Sequence, residues 1–344
     1  MAQLGTLEEL PEDYREDMAK AGVAPLWPMM RNVLPHGAPK PVTKPGHWRY
    51  EAIRPLLHRA GELTPVEKAE RRVLVLSDPG RGTGAMCATP AIYLGLQFLL
   101  PGETAPAHVH TPSAVRIIVE GEGGYTVVDG EKLPMREGDL VLTPGGEWHD
   151  HGHEGKEPVV WLDALDMPLF VYLEGSYAEE GPLQNQRNRP DASQIDYRAA
   201  GLAPARKAGA QKKRYPMARY PWVRTREALV ETMKYDGGPI VELDYINPET
   251  GADVLPTMGF TAMMIEAGGE ENPPLRSCSS AFHVIEGKGY SVVNGQRIDW
   301  AAKDTFTAPV FAEITHHAEE ESFLVRIHDR PLQEKLDYYE ERAR

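Results

Sequence analysis

A domain-sized stretch of this chain occurs twice. Val119-Glu120-Gly121-Glu-Gly-Gly-Tyr125-Thr-Val-Val-Asp129-Gly130 is echoed by Ile285-Glu286-Gly287-Lys-Gly-Tyr290-Ser-Val-Val-Asn294-Gly295. The copies are 166 residues apart at the first glycine and 165 at the tyrosine, so one residue has been lost between them. Gly138-Asp139 and Pro144 return at the same spacing of 165 as Lys303-Asp304 and Pro309. A period this long marks a duplicated domain, not a short solenoid repeat. The first copy is made of short β-rich runs at residues 73–76, 92–99, 115–119, 124–128, 139–142 and 159–162, ended by glycine, proline and acidic turns. Asp129-Gly130 between two such runs predicts a tight hairpin. Strands this short and this frequent predict an antiparallel sandwich or barrel.

The flanks differ in texture. Residues 1–71 read as a helical arm, with one helix over residues 11–21 and a short one from the capping box Thr64-Pro65-Val66-Glu67 to about Arg71. Between them Trp27, Pro28, His36, Pro39, Pro41 and Pro45 predict an extended segment wrapped on its own domain or on a neighbouring subunit. The first repeated domain then spans 72–181, and a polar connection with Asn185, Arg187, Asn188, Arg189, Lys207, Lys212, Lys213, Arg214 and Arg219 spans 182–235. A short helix is expected there over 226–234. The second domain spans 236–331, and an amphipathic terminal helix is expected over 332–344.

Composition narrows the partners. A net charge of −14 over 344 residues argues against nucleic acid or an anionic membrane, and a small anionic substrate would need local arginines. No run of eighteen apolar residues is present, and residues 1–22 carry acids where a signal peptide needs a basic and then an apolar stretch. Cys87 and Cys278 fit no paired-cysteine motif. The expectation is a cytoplasmic protein.

Chemistry concentrates between Gly102 and Trp161. His108 and His110 stand one residue apart, which on a strand puts both side chains on one face, and His149 follows a Pro-Gly-Gly turn. Three neutral imidazoles converging on one point hold a transition metal while leaving positions open. The repeat tests this internally. Carried across, the three positions become Pro274, Arg276 and Ile314, none of them a metal ligand, with His316 and His317 two and three residues beyond the last. The second copy keeps the scaffold without the histidines, which predicts a metal site in the first copy alone.

Gly102, His108 and His110, followed by Gly138, Pro144, Gly146 and His149, resemble the two motifs of the cupins. The resemblance implies an all-β, double-stranded β-helix (jelly-roll) bicupin with a helical N-terminal arm and a short C-terminal helix. The glutamate of the first motif is absent, since residues 111–115 contain none. That three-histidine pattern is similar to the gentisate 1,2-dioxygenase family, which includes salicylate and 1-hydroxy-2-naphthoate dioxygenases. The surrounding residues carry the same resemblance: His108-Val-His110-Thr-Pro-Ser113-Ala114-Val-Arg116, then Thr143-Pro144-Gly-Gly-Glu-Trp148-His149-Asp-His151-Gly-His153.

The resemblance implies an Fe(II)-dependent enzyme, typically tetrameric, that opens gentisate with O2 to give maleylpyruvate. It implies that Arg116, on the face of the two histidines, contacts the substrate carboxylate, and that Arg72 is a further active-site arginine. Gln97 is expected to hydrogen-bond substrate and His151 to shuttle a proton. Asp163, beside Trp161 on the last strand, is expected to orient an imidazole, and Trp161 to line the substrate site. Val109, Pro112 and His153 depart from the commoner family residues and, with a pocket widened at Gly145-Gly146, bear on substrate range. Other readings are the same chemistry on a salicylate or 1-hydroxy-2-naphthoate, or a non-catalytic metal-binding bicupin. A storage protein has no use for an arginine beside the metal. Sugar-phosphate isomerase cupins keep the missing glutamate.

Overall fold

The strand Ala114–Glu120 carries two apolar faces. Val115, Ile117 and Val119 point one way, Ile118 the other, and the neighbouring strands Tyr93–Leu99 and Val159–Leu165 alternate in the same manner. One set of side chains joins a layer shared with Phe260, Ala262, Met264, Val325 and Ile327 of the second repeat. The other set fills the first barrel with Val128, Leu133 and Val141. A sheet covered on both sides needs apolar residues at successive positions, which is why these strands read as nearly unbroken hydrophobic runs.

The computed structural model describes residues 4–181, 190–205 and 213–344. It divides into two compact units, Met1–Val42 and Thr43–Arg344. The first carries helices Glu12–Lys20 and Met30–Val33. The second holds both barrels. Of the expected connection, residues 182–189 (with Asn185, Arg187, Asn188 and Arg189) and 206–212 (with Lys207 and Lys212) lie outside the described residues.

Each barrel is an antiparallel jelly roll. In the first, a six-stranded sheet runs Arg219–Tyr220, Leu140–Thr143, Ala114–Glu120, Val159–Leu165, Tyr93–Leu99, Arg72–Val75. It faces a sheet ordered Ala178–Glu180, Thr104–His110, His149–His153, Gly124–Val128, Glu131–Pro134. The second barrel repeats the first sheet as His47–Trp48, Thr305–Ala308, Ser280–Glu286, Ser322–His328, Gly259–Ile265, Ile240–Asp244. Both hairpins close on two residues with positive φ, Asp129-Gly130 and Asn294-Gly295, as the sequence predicts.

The repeated acidic residues bind helices, not ligands. Helix Tyr50–Leu63, hidden in the sequence by the proline-rich arm, precedes the first barrel, and helix Trp222–Asp236 precedes the second. The Tyr50 amide donates to Asp304 and the Trp222 amide to Asp139, each at 2.8 Å. Each helix therefore has its first N–H capped by the opposite barrel. The Tyr50 hydroxyl and Arg54 bond Glu120, while the Trp222 indole and Arg226 bond Glu286. The duplicated unit accordingly includes a short strand and a helix, and the strand is exchanged: His47–Trp48 joins the second barrel and Arg219–Tyr220 the first.

The C-terminal helix is shorter than expected. Helix Arg330–Lys335 ends before Asp337, whose φ is 57°, and Glu341–Arg342 pairs as a strand with Leu275–Arg276. The acid-base alternation that reads as an amphipathic helix is spent on the ion pair Arg276–Glu341 and on Arg342–Glu340.

Candidate metal centre

His108 and His149 are direct partners on neighbouring strands, and His110, two residues beyond His108, turns its side chain to the same face. The ring centroids of His149 lie 4.0 Å from His108 and 4.7 Å from His110. One ligand nitrogen from each of the three sits within 4.8 Å of the others. Each Nδ1 faces a backbone carbonyl two residues away: Pro106 at 3.1 Å, Pro112 at 2.6 Å and Glu147 at 2.9 Å. A carbonyl only accepts, so each Nδ1 carries the proton and each Nε2 lone pair is left for a metal. The Nε2 of His149 is buried without a hydrogen-bond partner, a cost that a cation would remove. Burial pushes His108 down to about 3 and His110 to about 4, with Arg71 and Arg116 adding to the effect, and it pushes His149 well below the usual range. All three are neutral at pH 7, the state a metal requires.

The Pro144-Gly145-Gly146 turn is tied to the segment that carries His110. Gly146 donates to the His110 carbonyl at 2.9 Å and Gly145 to the Ser113 hydroxyl at 3.0 Å. A Cβ on Gly145 would lie 2.3 Å from the Thr111 carbonyl. The glycine is thus needed for this close approach, and neither glycine borders the cavity they were expected to widen.

That cavity, about 430 Å³, is lined by His108, His110, Arg71, Arg116, Asp163, Gln97 and the apolar or aromatic Val73, Met86, Tyr93, Ala114, Leu165 and Met167. Gly95 has no side chain, and a Cβ there would sit 2.6 Å from the Tyr93 hydroxyl; the ring lies in that space.

Arg116 is held on every side. Its Nε lies 3.2 Å from Asp163, too bent for an aligned hydrogen bond, while Nη1 donates to Thr143 and Nη2 approaches His151 Nε2 at 3.1 Å. Because a guanidinium only donates, His151 Nε2 accepts, and its Nδ1 donates to Thr126 at 2.7 Å. Burial, then Arg116, pushes His151 well below its usual range. Burial pushes Asp163 up and Arg116 down, and their mutual attraction opposes both.

Several expected roles change. Asp163 orients a guanidinium, not an imidazole. Both nitrogens of His151 are hydrogen-bonded, to Arg116 and Thr126, and it does not line the cavity. Trp161 is buried, donates to Asp163 at 3.0 Å and does not line the cavity. His153 binds its own turn, with Nε2 2.5 Å from the Glu157 carbonyl, and does not line the cavity. Arg72 is buried against Glu103 and the carbonyls of Gly61 and Thr64. Its neighbour Arg71 takes the cavity position. Strand alternation contained the signal, since Val73 faces the cavity and 71 shares its parity. In the second barrel His316 pairs with Ser291 in the register that joins His151 to Thr126, and its Nδ1 bonds that serine at 2.8 Å. Ile314 occupies the place of His149. His317 stacks on Tyr290.

The comparisons agree with this geometry. Residues 95–165 match the model of the cupin domain. A gentisate 1,2-dioxygenase of Ralstonia sp. is 47% identical, over 99% of this chain and 97% of its own length. A 5-aminosalicylate 1,2-dioxygenase of Comamonas sp. is 35% identical, over 95% of this chain and 89% of its own. The crystal structure of salicylate 1,2-dioxygenase from Pseudoaminobacter salicylatoxidans with gentisate superposes with a TM-score of 0.89 at 31% identity, covering 99% of this chain and 95% of that one.

Proposed function

The chain belongs to the gentisate 1,2-dioxygenase family and is a ring-cleaving dioxygenase of that type, and from that premise we propose that its substrate is gentisate, opened between the carboxyl-bearing carbon and the adjacent hydroxyl-bearing carbon to give maleylpyruvate. The observation that carries the reading is a cluster of three neutral imidazoles, two of which, His108 and His110, line one cavity with the guanidinium groups of Arg71 and Arg116. An anionic ring acid is what such a site attracts in a protein of net charge −14.

The residues divide the work. His108, His110 and His149 would hold Fe(II) through Nε2 on one face. Bound there, the iron would bring the chelating ring acid and O2 together and activate both. Arg116, fixed by Asp163, Thr143 and His151, presents a planar fork suited to a carboxylate. Arg71 adds a second positive charge, and Gln97 an amide that hydrogen-bonds substrate. Val73, Leu165 and Met167 exclude water from the ring. The Tyr93 phenol is the polar group on that apolar wall, and burial raises its pKa, so it remains a donor. It suits a second ring hydroxyl, which gentisate has and salicylate lacks. The unbranched Met86 and Met167 make the rim adjustable, which favours 5-substituted salicylates or 1-hydroxy-2-naphthoate as the second reading.

We read the enzyme as a cytoplasmic homo-oligomer, tetramer or dimer, on the strength of the exposed Val171, Tyr172, Leu173 and Tyr338. Among the described residues no helix is long and apolar enough to cross a membrane. Oxygen uptake by Fe(II)-reconstituted protein with gentisate, salicylate, 5-aminosalicylate and 1-hydroxy-2-naphthoate tests the reading. Fastest uptake with gentisate is expected, and no uptake with any of them would sink it.

A further inference from the structure

We propose that the second barrel, which lacks the three histidines, is a positioning element of the metal centre, and that Thr257 acts on His110 through Asp166. This rests on the metal-site reading above and extends it.

Thr257 lies in the loop between the strands Ile240–Asp244 and Gly259–Ile265 of the second barrel. Its hydroxyl donates to Asp166 Oδ2, in the first barrel. Asp166 is buried, and its Oδ1 accepts the Ser113 amide at 2.7 Å. Ser113 follows Pro112, whose carbonyl holds the Nδ1 proton of His110 at 2.6 Å. The Ser113 hydroxyl in turn accepts from Gly145, in the turn that leads to His149. One carboxylate thereby anchors the segments of two metal ligands, and its second oxygen is bound by a residue from the other repeat. Imidazole ligands are oriented by the groups behind them, so a slack Asp166 would loosen the His110 ring.

The duplication provides a built-in comparison. In the second barrel the Ser279 amide donates to Asp329 Oδ1 at 2.7 Å, as Ser113 does to Asp166. The Ser279 hydroxyl donates at 2.8 Å to Thr89, from the corresponding loop of the first barrel. The barrels are thus joined from both sides, but Thr89 meets the serine and not the carboxylate, and its contact stands beside Arg276, where the first has His110. Thr89 therefore joins the barrels without a histidine of the cluster to position.

Chelator-stripped protein titrated with Co(II), followed by the visible absorption of the metal and by thermal melting, separates positioning from barrel adhesion. Thr257→Val is expected to weaken Co(II) binding about tenfold, near the low end for groups behind a ligand, and to shift the absorption bands. Thr257→Ser should restore both. Thr89→Val should lower the melting temperature while leaving affinity and spectrum as in the wild type. The proposal is overturned if Thr257→Val binds like wild type, if Thr257→Ser fails to rescue, or if Thr89→Val weakens Co(II) equally. A wild-type protein that takes up no Co(II) overturns the metal-site reading itself.

Discussion

Arg116 and Asp163 are register partners on adjacent strands, 3.2 Å apart at Nε and Oδ1, and the same two positions in the second barrel are Phe282 and Arg326. Duplication kept the strands and exchanged the chemistry. In the first barrel the pair turns a guanidinium toward the histidines. In the second, Phe282 stacks on Phe306 in the interior, and Arg326 turns to Glu242.

Breaking the Arg116 fork should be felt by substrate before metal. Arg116→Lys keeps the charge and loses the planar, multiply bonded geometry. A loss in kcat/KM of about 100-fold is expected, mostly through KM, with iron content unchanged. Arg116→Met should also lower stability by about 3–5 kcal/mol in chemical denaturation, because Asp163 is left buried with only the Trp161 indole and without its guanidinium.

The two adjacent arginines should part company. Arg71→Met is expected to reduce kcat/KM roughly tenfold or more with little change in melting temperature, since it removes a charge from the cavity wall. Arg72→Met should leave the kinetics near wild type and cost about 3 kcal/mol, the price of stranding Glu103. Steady-state assays and melts on both variants decide this. The opposite pattern would return the substrate role to Arg72.

Metal should follow one half of the duplication. His149→Ala is expected to abolish bound iron and turnover together, because two imidazoles do not retain the ion. Pro274→Ala, at the place of His108 in the second barrel, should spare both. Elemental analysis of purified protein reads the difference.

A half-buried carboxyl in the second barrel gives a pH signature. Burial, with Glu242 nearby, pushes Glu271 up to about 7, against the pull of Arg276, Arg326 and Arg344. Its folded value exceeds its unfolded one, so the contribution to stability is complete below about pH 4.3 and is lost as pH rises through 7. Glu271→Gln should therefore be more stable than wild type at pH 8, by roughly 2 kcal/mol, and match it near pH 4. A difference independent of pH would contradict the assignment.

How much was legible follows from the range of each interaction. Asp129-Gly130, the two-residue spacing of His108 and His110, and the missing ligands at Pro274, Arg276 and Ile314 depend on local geometry or on counting, and the structure agrees with each. Helix Tyr50–Leu63 was hidden because its cap, Asp304, lies 254 residues away. Trp161 and His151 carried the right side-chain parity for the barrel interior, yet their partners Asp163 and Arg116 occupied the atoms assigned to substrate.

The sequence by itself determined the duplication, the strand pattern and the three clustered histidines, because turn chemistry and side-chain alternation act over a few residues. Only the tertiary structure decided that Arg71 and not Arg72 meets the cavity, that Asp163 serves a guanidinium, and that Thr257 reaches Asp166. Each of these depends on which distant strand or loop lies alongside, and at what register. A one-residue change of parity sends a side chain to the opposite face of a sheet.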